Sequence, residues 1–167
     1  MTPFTLRAAE PRDLTAITGL IAELADFEHL THLVRCTPER LAPHLFGERP
    51  VAEAVVAELD DAPGRPVVAF ALFFTNFSTF LAQPGLYLED LYVQPAHRGA
   101  GIGKALLQHL GALALARGHG RFEWSVLDWN ANAIRFYEKM GATVMKEWQI
   151  CRVTGDRLQS FAAPAAG

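Results

Sequence analysis

Residues 97–107 read HRGAGIGKALL. Gly99, Gly101 and Gly103 alternate, with Arg98 before them and Lys104 after. Ile102, Leu106, Leu107, Leu110, Leu113 and Ala114 then recur at helical spacing, so the glycines open an amphipathic helix that Gly118 and Gly120 end. Two nucleotide-binding interpretations fail on spacing. A phosphate loop G-x-x-x-x-G-K-[ST] needs glycine where Arg98 stands, and a magnesium-binding hydroxyl where Ala105 stands. A dinucleotide fingerprint G-x-G-x-x-G needs glycine where Lys104 stands, and a place near the chain start. The physics of the segment remains. Unpaired N–H groups and the dipole of a helix N-terminus favour an anion. Glycine lets the backbone come close to it. A pyrophosphate fits, and needs no magnesium if no phosphoryl group moves. Taken alone, the glycines are equally compatible with a purely structural turn.

Working outward, Leu86–Val93 (LYLEDLYV) is a strand stopped by Gln94-Pro95. Upstream, 3–8 reads as a first strand, and Leu14, Ile17, Leu20, Ile21 and Leu24 mark a helix ending near Asp26 or Phe27. Thr37-Pro38 opens a second helix, closed by Gly47 and Pro50. Residues 51–59 and 66–75 form a hairpin across the turn residues 60–64, and 76–85 reads as a loop. Downstream come a strand over 122–127, a helix over 130–140 stopped by Gly141, and two further strands within 143–161. The final APAAG reads as a frayed end. The order predicts a mixed α/β sheet.

Composition sets bounds. At 167 residues, half of them hydrophobic, the chain is read as one domain with a sizeable core. A net charge of −3 gives no electrostatic case for nucleic acid or an anionic membrane, and mildly suits a cationic substrate. Cys36 and Cys151 form no CxxC, the start MTPFTLRAAEPRDL lacks the apolar core of a signal peptide, and no apolar run reaches membrane-spanning length. These features point to a reducing, cytoplasmic compartment. His29, His32 and His44 lack a matching carboxylate or cysteine pattern, so no metal is expected.

Residues 98–103, RGAGIG, match the R/Q-x-x-G-x-G/A signature of the GNAT superfamily of N-acetyltransferases. LYLEDLYV in front and NANAIRFYEKMGA (130–142) behind fit the same pattern. From LIAELADFE (20–28) through VLDWN (126–130) to the C-terminal residues, the chain resembles the diamine (spermidine/spermine) and thialysine N-acetyltransferases. Where the polyamine enzymes carry further acidic residues after Glu28, this chain has His29-Leu30-Thr31-His32, which disfavours a long polycation. The resemblance implies the GNAT fold: a mixed, mostly antiparallel sheet of six to seven strands flanked by about four helices, in a single domain over 1–167. It also implies acetyl-CoA as cosubstrate, a small amine as acceptor and a homodimer.

It further implies roles. Backbone groups of Leu91, Tyr92 and Val93 would pair with the pantetheine arm. Arg98, Gly99, Ala100, Gly101, Ile102, Gly103 and Lys104 would cradle the pyrophosphate, and Asn130 would hold the cofactor from the other side. Tyr137 would sit beside the CoA sulfur as general acid. Phe27 and Glu28 would border the amine, and Glu89 would act on it as base, directly or through water. The chemistry asks for such groups. An alkylammonium of pKa about 10.4 must lose a proton to attack, and the departing thiolate must gain one. Glu89 and Asp90, adjacent on a strand, should face opposite sides, so only one meets a given cavity; Asp90 is read as structural. Two alternatives stay open: a non-catalytic acyl-CoA-binding regulatory module, and an acetyltransferase for protein or peptide amines.

Overall fold

A computed structural model of the chain describes residues 3–162; the APAAG end lies outside them. The described residues form two compact units, divided between Ser125 and Val126. The first contains β1 (Phe4–Ala8), α1 (Leu14–Phe27), α2 (Pro38–Phe46), β2 (Glu53–Leu59), β3 (Val67–Ser78), β4 (Gln83–Val93), α3 (Ile102–Ala116) and β5 (Phe122–Trp124). The second contains α4 (Ala131–Lys139) and α5 (Asp156–Ala162).

The sheet runs β1-β2-β3-β4-β5; the first three pairings are antiparallel and β4–β5 is parallel. Its central strands read as near-continuous apolar runs because helices cover both faces. Ala54, Val56, Phe70 and Tyr92 pack with Ile17 and Leu20 of α1 and Leu45 of α2. Residues of the opposite parity, Ala69, Ala71 and Phe73, are also buried, as are Ile102, Leu106, Leu110 and Ala114 of α3. Arg7 ties β1 to its surroundings: its guanidinium reaches Asp13 and Glu58, each at 2.6 Å.

The α1, α2 and α3 patterns and the β2–β3 hairpin match the expected elements. Three expectations fail. The 76–85 loop shrinks to a turn over 79–82, because β3 and β4 pair as far as Ser78↔Gln83. The sheet has five strands among the described residues, not six to seven, and 143–155 carries neither helix nor ladder. Trp148 and Ile150 alternate as a strand would but are exposed, and alternation supplies no pairing partner by itself. A fifth helix, α5, follows instead, with Asp156 in its first turn where the helix dipole favours an acid.

Candidate active site

β4 pairs with β3 along its whole length, but with β5 only at Leu86, Leu88 and the Tyr87 between them. Beyond Leu88 the parallel ladder stops, because β5 ends at Trp124. At that point Leu72 faces Asp90 while Phe73 faces Leu88, so Glu89 is the extra residue of a β-bulge. The bulge reverses the alternation. Leu86 N–H donates to Arg121 O toward β5, whereas Gln94 N–H donates to Val68 O toward β3. By ladder geometry Tyr92 exchanges its backbone bonds with Phe70, while Leu91 and Val93 turn theirs to the side β5 has left. Tyr92, expected to offer its backbone to a cofactor, is thus directed into the sheet; its neighbours have the orientation such a role requires.

The turn after β4 holds the glycines. Gly99 and Gly101 have φ of 79° and 88°, in the left-handed region that disfavours side chains. No heavy atom stands within 4 Å of where a Cβ would sit on either, so conformation rather than space calls for glycine. Gly101 is the N-cap of α3 and no side chain caps that end. Its carbonyl accepts the first helical bond, from Ala105 at 2.9 Å, so the N–H groups of Ile102, Gly103 and Lys104 precede the helical ladder. Arg98 behaves otherwise: its Nε donates to Val93 O at 2.9 Å and its guanidinium lies over the Phe27 and Tyr92 rings. Ala100 is half-buried between the two left-handed glycines.

Carboxylates gather beside the bulge. α1 ends at Phe27 in a Schellman-type closure, with Leu30 N–H donating to Ala25 O at 2.8 Å, which leaves Glu28 at its tip. Burial pushes the Glu28 carboxyl above its ordinary value. Asp90, on the α1 face with Leu72 and Tyr92, is pushed up to about 6, first by burial and then by the charges of Glu89 and Glu28. Nothing in the sequence marks this residue beyond its place next to Glu89, because the bulge that turns it toward α1 has no local signature. Cys36, whose thiol burial and Asp90 push up, lies on the same side.

In the second unit, Asn130 is the N-cap of α4, and its Oδ1 accepts from Ala133 N–H at 3.1 Å. Tyr137 lies two turns along the same helix, half-buried, its ring 5.5 Å from that of Phe136. Among the described residues no group of three or more His, Cys, Asp or Glu could hold a metal, and no helix is long and apolar enough to cross a membrane.

A bulged strand that outruns its parallel neighbour and leads into a left-handed glycine turn at a helix N-terminus is one architecture in one stretch of chain. The Acetyltransferase (GNAT) family profile matches residues 20–142, covering all of it. The chain belongs to that family. It is an N-acetyltransferase. This GNAT enzyme is 37% identical to the L-ornithine N5-acetyltransferase NATA1 of Arabidopsis thaliana, covering 93% of this chain and 86% of that protein. It is also 37% identical to the thialysine N-epsilon-acetyltransferase of Mus musculus, over 94% of this chain and 96% of that one. An integron cassette protein from V. cholerae shares the fold with a TM-score of 0.78 at 24% identity, over 98% of this chain and 99% of that one.

Proposed function

We propose that this GNAT enzyme moves an acetyl group from acetyl-CoA to a primary amine of a small diamine, polyamine or thialysine-like amino acid. The observation that carries the proposal is the convergence of Glu28, Glu89 and Asp90 at the end of α1, where β4 opens. An ammonium placed among them is attracted by all three, and offsets the burial and the repulsion that together raise Asp90. The names of the ornithine and thialysine relatives support a small amine as acceptor.

Acetyl-CoA would supply the activated thioester carbonyl. The N–H groups of Ile102, Gly103 and Lys104, with the α3 dipole, suit its pyrophosphate, and the outward edge at Leu91 suits an extended amide-bearing arm. Glu89 or Asp90 takes the ammonium proton, directly or through water. As a carboxylate of pKa about 6, Asp90 is a stronger base than an ordinary aspartate and is still mostly ionised at neutral pH. The free amine would form the C–N bond as the C–S bond breaks; the Tyr137 phenol would give its proton to the departing thiolate, and the second proton of the amine nitrogen would pass through water to restore the phenol. Asn130 keeps its amide NH₂ for the cofactor while its oxygen caps α4. The family profile crosses the boundary between Ser125 and Val126, which supports one acetyltransferase domain. The exposed Trp148, Ile150 and Phe161 support a homodimer.

The test is thiol release from acetyl-CoA with 1,3-diaminopropane, spermidine, L-ornithine, thialysine and a lysine-bearing peptide. Turnover of a free amine is expected. Release with the peptide alone would move the acceptor to protein amines, and release with none would overturn the proposal.

A further inference from the structure

We infer that Arg98 is a positioning residue that fastens the phosphate-binding turn to the end of α1, so that one side chain holds both the cofactor turn and the amine wall. The inference rests on the proposed function only for what fills those two sides.

The motif alone would spend this guanidinium on cofactor phosphates. The geometry spends it on the protein. Arg98 Nε donates to Val93 O at 2.9 Å, across the turn formed by the single 3₁₀ turn Pro95–His97. The same turn is closed by His97 N–H to Gln94 O at 2.9 Å. The guanidinium carbon stands 5.2 Å from the Phe27 ring centroid and 5.4 Å from that of Tyr92. Glu23 accepts from Gln94 Nε2 at 2.8 Å. Glu23 and Phe27 are one helical turn apart, so α1 grips the end of β4 and the start of the glycine turn at two points. Phe27 immediately precedes Glu28, the tip of the carboxylate group. A rigid planar fork can donate at its edge while stacking on its face; a lysine ammonium cannot do both. Arg98 also takes up the Val93 carbonyl, so the outward edge keeps Leu91 as its acceptor.

Steady-state kinetics and amide hydrogen exchange test this together. Arg98→Gln should raise the KM for the amine and the KM for acetyl-CoA, each about tenfold, with kcat within about threefold. Phe27→Leu should raise the KM for acetyl-CoA severalfold although it lies on α1. The double variant should be no worse than the poorer single one, since both remove the same contact. In the free protein, Arg98→Gln should speed exchange in both 24–30 and 94–101, and Arg98→Lys should do the same. The inference is overturned if Arg98→Gln affects acetyl-CoA alone, if the two variants add, if exchange changes only within 97–104, or if Arg98→Lys restores wild-type behaviour, as a simple charge on the pyrophosphate would require. Should no amine be turned over, the proposed function falls while the exchange result still decides the role of Arg98.

Discussion

Asp90 is a half-buried carboxylate that feels the charges of Glu89 and Glu28, and its pKa, pushed up to about 6, makes it a reporter of the site. An alkylammonium of pKa about 10.4 enters the site charged and gives its proton to the carboxylate there, so log kcat/KM should be level between about pH 6 and 10. If Asp90 is the group that must be ionised, the profile should fall with a slope of one below about pH 6, and Asp90→Asn should remove that break; a pH–rate profile reads this directly. The same shift bears on stability. Asp90 is raised on folding, so its contribution is intact below about pH 4 and is lost as pH rises through about 6. Asp90→Asn should therefore raise Tm by about 5 °C at pH 8 and leave it unchanged at pH 4. Tyr137 carries a separate prediction. Tyr137→Phe should lower kcat about a hundredfold without weakening CoA in calorimetry, because the ring stays and only the acid is lost. Glu89 and Tyr137 are proposed from the motifs that carry them; the raised Asp90 carboxyl has no such mark in the sequence, because burial is a property of its surroundings.

Among the elements, α3 and its preceding turn show how local chemistry fixes a site. Gly101 is left-handed at the helix start, where a Cβ costs about 1–2 kcal/mol. Gly101→Ala should lower stability by about 1 kcal/mol and weaken CoA about tenfold, by distorting the N–H groups that follow; calorimetric titration measures the second effect. β1 and β2 depend on one buried ion cluster. The Arg7 guanidinium holds the Asp13 and Glu58 carboxyls below their ordinary range, first through hydrogen bonds. Groups lowered on folding stabilise above their unfolded values and lose that contribution as pH falls through the folded ones, so the cluster weakens only in acid. Arg7→Gln strands the acids and should lower Tm at pH 7 by about 5–10 °C in a thermal melt. Helix periodicity and the 60–64 turn made most of these elements legible. Their lengths were not: β3 and β4 run on through 76–85 because each offers the other a ladder.

At the scale of the whole molecule, Trp148, Ile150 and Phe161 are exposed, and the proposed homodimer would cover them. Sedimentation equilibrium should return twice the 18.3 kDa chain mass, and Trp148→Glu should shift the weight toward the monomer. Sequence alone determined the first four helices, the first hairpin and the anion-suited glycine turn, because periodicity, turn chemistry and left-handed backbone are preferences of residues close in the chain. Tertiary structure alone decided that Glu89 is bulged, that Asp90 faces α1, that Arg98 stacks on Phe27 and Tyr92, and that 143–155 joins no ladder. Each of these is set by partners distant in sequence. Strand register needs an opposing strand, and desolvation needs neighbours that exclude water.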